Sequence, residues 1–189
     1  MNALYHDHEK GFTLVEVLIT LGIAMFVLAG MSAMFVSQAR TAQALSKKSE
    51  AMNDLFLASQ IMQFELRGAK AMCWDDGNQT LRYQPLSSVA NLQAVCSSTD
   101  AANGWFDLRA NTAVSPTPYI CWDMPNDGTN CQELIRDLKA GNLGLTVSPV
   151  DNTDLQAVRT ITLTAQYKDR DMQVQDLQLS FKVWPRNVQ

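Results

Sequence analysis

The chain has 189 residues, of which 47% are hydrophobic, 18% charged and 8% aromatic. This length accommodates one ordinary globular domain with one further element, and the apolar content excludes a disordered chain. The formal charge is −4, from 15 basic and 19 acidic residues. This charge disfavours a nucleic-acid binder that depends on bulk positive charge.

One long apolar run stands near the N-terminus, from Val17 to Val36, and it contains no charged side chain. As a helix it would cover roughly 30 Å, the hydrocarbon thickness of a bilayer. We therefore interpret it as a membrane span or a targeting signal, because a buried core helix would need a larger partner core than this chain can build. A cleavable secretory signal, cut near Ala33 or Ala39, is an alternative, although the residues before the run lack the usual basic character.

A glutamate, Glu16, stands at the start of this run, directly after Leu14 and Val15. A charged side chain opposes insertion by about 2.5–3.5 kcal/mol at the bilayer centre and by less near its edge. An ionisable residue in such a place is a candidate functional group. The alternative is a glutamate that snorkels to the membrane edge.

The segment GFTLVEVLI, residues 11–19, resembles the N-terminal signal of type IV pilins and of type II secretion pseudopilins. This resemblance implies that a prepilin peptidase cleaves between Gly11 and Phe12 and then methylates the new amine of Phe12. It also implies that Glu16 pairs with the corresponding amine of a neighbouring subunit during assembly. An unpaired charge in an apolar helical bundle is costly, so this pairing would favour the assembled state.

The helical pattern continues beyond the apolar run, and no proline interrupts it before Thr80. Apolar residues recur there at spacings of three, four and seven, namely Leu45, Met52, Leu55, Phe56, Met62, Leu66 and Ala69. This amphipathic stripe predicts one helix from about Phe12 to Ala71, whose second half packs on a sheet. A coiled-coil stalk is the alternative.

The periodicity changes after Ala71. Residues Trp74–Asn78 have turn chemistry, and short strands are predicted near Thr80–Tyr83, Trp105–Arg109 and Tyr119–Trp122. A small helix is predicted at Gln132–Lys139, because Leu134, Ile135 and Leu138 share one face.

The clearest sheet signal is at the end of the chain. Apolar and polar residues alternate in two segments, Ile161–Gln166 and Met172–Val183, which predict a β-hairpin joined by Lys168–Asp171. The alternation slips near Asp176, which would fit a bulge. A long amphipathic helix against an antiparallel sheet gives the α+β class.

All four cysteines, Cys73, Cys96, Cys121 and Cys131, follow the apolar run. In the pilin orientation this part lies outside the cytoplasm, where disulfides persist. Three pairings are possible; neighbours in sequence favour Cys73–Cys96 and Cys121–Cys131, but the spacing does not decide between them.

Metal and catalytic motifs are weak. The oxygen-rich segments Asp75–Asn78 and Asp123–Asn130 could in principle bind calcium, but Asx-Gly turns explain them more simply. Both histidines, His6 and His8, lie before the proposed cleavage point, so we do not interpret them as metal ligands. No phosphate-binding loop or nucleophile motif occurs. We expect no metal site, no cofactor and no enzymatic activity.

Later segments are similar to PilW-type minor pilins and J-type pseudopilins: ALSKK at 44–48, FELRGA at 64–69 and VWPRN at 183–187. The resemblance implies a type IV pilin fold, in which a long N-terminal α-helix packs on an antiparallel β-sheet. It divides the chain into a leader, 1–11, an assembly and transmembrane half-helix, 12–36, an amphipathic half-helix, 37–72, and a periplasmic α+β head, 73–189.

The function implied is that of a minor pilin that primes assembly or forms the tip of a pilus. Its partners would be other minor and major pilins, the prepilin peptidase and the assembly platform of the inner membrane, without specific binding of nucleic acid. The subunit would cross the inner membrane once, with a periplasmic head, before it enters a surface filament. Alternatives are a pseudopilin of a type II secretion system and a signal-anchored or secreted binding protein with an unrelated head.

Overall fold

A computed structural model describes residues 11–87, 95–96, 103–111, 115–123, 131–141 and 143–185. Residues 1–10, which belong to the predicted leader, and residues 124–130 and 186–189 lie outside these ranges. The chain divides into two compact units, Met1–Gln43 and Ala44–Gln189. The elements are α1 (Leu14–Arg67), β1 (Ala69–Asp75), β2 (Thr80–Pro85), β3 (Gly104–Asn111), β4 (Ser115–Asp123), β5 (Gln132–Ile135), β6 (Leu145–Ser148), β7 (Arg159–Lys168) and β8 (Val174–Val183).

The long helix is present, but it ends earlier than the sequence predicts. α1 contains 54 residues, and Gly68 follows its last residue, with the backbone N–H of Gly68 donating to the Glu65 carbonyl at 3.1 Å. Glycine is a poor helix former, so the chain leaves the helix there. Ala69 to Asp75 then form a strand, which the sequence reading missed. The predicted turn is displaced as a result, because Trp74 and Asp75 still belong to β1.

Five antiparallel strands form the larger sheet, in the order β1-β2-β3-β4-β5. β2, β3 and β4 contain the three strand segments that the sequence predicts. On one face Tyr83, Phe106 and Trp122 stack in a row across these strands, with ring centroids 5.4 and 6.1 Å apart. Gly104 makes this row possible, since a Cβ at that position would lie 2.6 Å from Cζ of Tyr83.

The helix predicted at Gln132–Lys139 is wrong. Gln132–Ile135 form β5, in which Ile135 pairs with Ile120 of β4 and is buried. Leu138 then forms an isolated bridge with Ala165 of β7. A two-turn helix is marginal without tertiary support. In this segment the backbone partners offered by β4 and β7 determine the conformation instead.

The second sheet has the order β6-β7-β8, and its β7–β8 hairpin confirms the hairpin predicted at the end of the chain. Pairing runs without interruption from Arg159 opposite Val183 to Lys168 opposite Val174. The bulge predicted near Asp176 is therefore wrong. The apparent slip arises because Met172 and Val174 are apolar residues in exposed positions, with 69% and 55% of their surfaces accessible.

The core of the second unit lies between one face of α1 and the two sheets. Leu55, Ala58, Met62 and Leu66 of α1 are at most 2% exposed and join residues of both sheets in one cluster. Other members of the predicted stripe remain outside this core, since Leu45, Met52 and Phe56 are more than half exposed. The long N-terminal helix and the antiparallel sheets confirm the predicted α+β class.

A buried arginine connects the two sheets. Arg159 of β7 is fully buried, and its guanidinium donates to the carbonyls of Pro149 and Asp154 and to the side-chain oxygen of Asn152. The amide of Asn152 in turn pairs with both the N–H and the carbonyl of Trp74, at 2.9 and 2.7 Å. The loop after β6 thus covers the outer edge of β1, which would otherwise be an open sheet edge.

A candidate assembly site at the start of the helix

The residues of the predicted processing site lie in the irregular segment before α1. Gly11, Phe12 and Thr13 precede the first helical residue, and Phe12 is 82% exposed. Thr13 caps the helix, because its hydroxyl oxygen accepts a hydrogen bond from the backbone N–H of Glu16 at 3.3 Å. The sequence reading missed this role of Thr13. The signal for it was Thr-x-x-Glu before an apolar run, the pattern of a capping box.

The fold itself does not require glycine at position 11. A Cβ built on Gly11 would meet no atom within 4 Å, and the same holds for Gly22 and Gly30 inside the helix. A glycine that is not needed for backbone geometry or packing in its own chain can instead serve a contact with another molecule. Small residues on a helix surface likewise allow close approach of a second helix.

The first part of α1 leaves its apolar side chains uncovered. Exposure within the run extends from 52% for Val17 to 87% for Phe26. α1 is long and apolar enough to cross a membrane, and its most apolar stretch is not buried in the structure. In the part of the chain that the structure describes, no other helix meets these conditions. This surface needs a lipid or protein environment that the chain does not itself supply.

Glu16 lies in the first turn of this uncovered segment. Its side chain is exposed and makes no ion pair with any described residue. The N-terminal end of a helix favours a negative charge. The segment therefore presents a carboxylate at the end of an exposed apolar surface, and no cation among the described residues pairs with it.

Both disulfides join cysteines that are neighbours in sequence. Cys73 bonds to Cys96 and Cys121 to Cys131, with Cα–Cα distances of 5.5 and 5.4 Å. The first ties β1 to the segment at 95–96, and the second ties β4 to the residue before β5.

The oxygen-rich turn at Asp75–Asn78 is occupied by its own hydrogen bonds. The Asp75 carboxylate accepts from the side chain and the backbone of Asn78 at 2.7 and 3.2 Å, and it lies 3.6 Å from the guanidinium of Arg82. The hydrogen bond from the Asn78 side chain is the main cause that lowers the pKa of Asp75. Among the described residues, no three potential metal ligands lie together, and most of the second oxygen-rich segment falls in the range 124–130.

Comparison with known proteins agrees with this N-terminal geometry. Residues 7–32 match the prokaryotic N-terminal methylation motif. The chain is also 35% identical to the pilin-like protein PilA3 of Thermus thermophilus over 152 residues, which cover 70% of this chain. The matched region spans 65% of the length of PilA3. No solved structure matches the chain. The methylation motif, the similarity to PilA3 and the long helix on antiparallel sheets together support a type IV pilin-like protein.

Proposed function

We propose that this protein is a minor type IV pilin, a structural subunit that primes pilus assembly or forms the tip of the filament. The observation that carries the proposal is the exposed apolar half of α1 with Glu16 in its first turn. A soluble domain does not leave such a surface uncovered, whereas a subunit that moves from a membrane into a helical bundle requires it.

Processing is the first step of the proposed function. A prepilin peptidase cleaves between Gly11 and Phe12 and methylates the new Phe12 amine, which stays basic and cationic. Support comes from the methylation motif at residues 7–32 and from the absence of any steric need for Gly11 in the fold. Cleavage removes the leader 1–11 and leaves a membrane half-helix up to residue 36, an amphipathic half-helix that ends at Arg67, and a head that begins with β1 at Ala69.

Glu16 then selects the assembled state. A carboxylate that enters an apolar environment without a cation is strongly disfavoured. The Phe12 amine of a neighbouring subunit supplies that cation when helices associate with a small axial displacement. A lone subunit keeps the electrostatic penalty and an assembled subunit loses it.

The second half of the helix extends the surface available to neighbours. Leu45, Met52 and Phe56 are 62%, 55% and 59% exposed, and they lie on α1 beside the face that the head covers. One helix thus carries two apolar faces, one for its own head and one for other subunits. The partners are other minor and major pilins and the assembly platform. The head lies in the periplasm before the filament reaches the cell surface.

The test replaces Glu16 with glutamine, which keeps the size of the side chain and removes its charge. We expect normal membrane insertion and an N-methylated Phe12 by mass spectrometry, but strongly reduced recovery of the subunit in sheared filaments. Glu50→Gln is the matched control, because Glu50 is an exposed carboxylate of the same helix that pairs only with Lys47 among the described residues. Unchanged filament incorporation of Glu16→Gln would refute the pairing mechanism. A mature N-terminus elsewhere than Phe12 would refute the processing step.

A further inference from the structure

We propose that a groove at the C-terminal end of α1 binds a lysine or arginine side chain presented by a neighbouring protein subunit. The groove lies wholly within the second unit and is separate from the assembly site at Glu16. The identification of the partner as a filament subunit rests on the proposed function. The chemistry of the groove does not.

Three segments distant in sequence form this groove: the last turns of α1, the end of β2 and the residues after β8. It has a volume of about 650 Å³, and its walls include Phe64, Glu65, Arg67, Tyr83, Pro85 and Trp184. Phe64 is 79% exposed and Trp184 54% exposed. Exposed aromatic residues beside an arginine are typical of the residues that dominate the binding energy of protein interfaces.

Glu65 is the polar centre of the groove. Its carboxylate accepts a hydrogen bond from the Tyr83 hydroxyl at 3.4 Å, and that hydroxyl accepts one from the indole N–H of Trp122 at 2.9 Å. Within the described ranges, Glu65 forms no ion pair. Burial raises the pKa of Glu65, which reflects the cost of partly desolvating a carboxylate that has no cation.

The helix end adds to this negative potential. The last turn of α1 carries the negative end of the helix dipole, and of its carbonyl groups that of Glu65 already accepts a hydrogen bond from the Gly68 N–H. Arg67 also lines the groove, but it forms no ion pair with Glu65: its guanidinium lies 5.9 Å from the ring centroid of Trp184 and donates a 3.1 Å hydrogen bond to Gln63. The groove therefore combines a carboxylate without an ion-pair partner among the described residues, the negative end of a helix and aromatic side chains.

A basic side chain satisfies each of these features. Its ammonium or guanidinium group would pair with Glu65 and the helix carbonyls, while its aliphatic stem would pack against Phe64 and Trp184. An acidic or a neutral apolar segment would bury Glu65 further and leave its charge unpaired. Charge complementarity thus selects a cationic partner for this groove.

The experiment titrates the full chain, held in detergent micelles, with the peptide Ac-Val-Lys-Val-amide and follows the tryptophan indole signals by NMR. The signal of Trp184 is assigned by its loss in Trp184→Phe. We expect this signal to shift with saturation and the lysine peptide to bind about tenfold more tightly than the norleucine peptide of the same shape, as a hydrogen bond to a charged group implies. Glu65→Gln should abolish this preference, and Glu50→Gln, a carboxylate change outside the groove, should leave it intact.

Equal binding of the lysine and norleucine peptides, or an unchanged preference in Glu65→Gln, would overturn the inference. Binding that appears only after removal of residues 186–189 would also overturn it, since the chain's own tail would then be the occupant. Glu65-dependent self-association of the chain without any preference for the lysine peptide would overturn it as well, because a second copy would then fill the groove without a basic side chain. None of these readouts involves filaments, so failure of the Glu16 mechanism and failure of the groove are distinguishable.

Discussion

Two adjacent residues of α1 lie on different faces of the helix, one that packs in the head and one that is available to neighbouring subunits. Leu55 is 2% exposed within the core, whereas Phe56 is 59% exposed. Truncation of a buried leucine to alanine costs about 2–5 kcal/mol. For a domain of this size each kcal/mol lowers the melting temperature by roughly 2–4 °C, so Leu55→Ala should melt about 4–20 °C lower.

Phe56→Ala should behave in the opposite way. The free subunit loses almost no buried surface, so its stability should change by less than about 0.5 kcal/mol. In a filament, the exposed part of Phe56 corresponds to roughly 120 Å² of apolar surface, and its burial contributes at most about 3 kcal/mol. Incorporation into filaments should therefore fall.

Thermal unfolding of the full chain in detergent, followed by circular dichroism, measures the first quantity, and the ratio of sheared to membrane-bound subunit measures the second. The reasoning fails if Phe56→Ala lowers the melting temperature as much as Leu55→Ala does. It also fails if Phe56→Ala enters filaments as well as the unaltered chain.

Three further predictions concern the head. Arg159→Met should destabilise the head by about 2–4 kcal/mol in denaturant unfolding, because buried carbonyls lose their hydrogen-bond donor. The control Arg170→Met, at an exposed turn, should change the stability little. Equal effects of the two substitutions would contradict the role of Arg159. Burial raises the pKa of Glu65 above 4.5, which means that folding favours the neutral form of this side chain. The contribution of the neutral form to the stability of the head is therefore lost as the pH rises through the folded-state pKa. At neutral pH, Glu65→Gln should accordingly have a higher melting temperature than the unaltered chain. Below pH 4.5 the two melting temperatures should be equal. A difference found only at acidic pH would contradict the direction of this pKa shift. Replacing Cys73 and Cys96 by alanine should lower the free energy of unfolding by about 3.4 kcal/mol, and replacing Cys121 and Cys131 by about 2.7 kcal/mol, because the disulfide that closes the longer loop restrains the unfolded chain more. The opposite order in denaturant unfolding would contradict this explanation from chain entropy.

The parts of the fold that the sequence predicts are those in which local pattern and tertiary environment agree. The alternation in β7 and β8 reflects a sheet with one covered face, so the hairpin could be recognised directly. β5 shows the opposite case, because its apolar spacing also fits a helix and its strand conformation depends on the partner strand β4. The amphipathic stripe of α1 was also ambiguous. Phe56 and Leu55 are both apolar, and only the packed head shows which of them it covers.

The two candidate sites differ in the same way. The site proposed around Gly11 and Glu16 could be suggested by the sequence alone, because its residues are contiguous. The groove at Glu65 could not, since it unites α1 with Tyr83 and Trp184, which are distant along the chain. No spacing pattern along the sequence predicts that these three segments lie together.

The dipole of α1 acts in opposite directions on the charges of Glu16 and Glu65. This difference determines how their variants should be interpreted. Glu16 lies at the positive end of the helix dipole, where a carboxylate gains about 0.3–1 kcal/mol, so part of its value is local to α1. Glutamine at position 16 retains the polar side chain of a capping box and loses only the charge. A large assembly defect in Glu16→Gln therefore exceeds what helix capping can explain and points to a cation outside the subunit. Glu65 lies near the negative end, where its charge is disfavoured by its own helix as well as by burial. Among the described residues, the hydrogen bond from the Tyr83 hydroxyl is the interaction that favours this charge, and no cation pairs with it, which is why a compensating cation is to be sought in a partner.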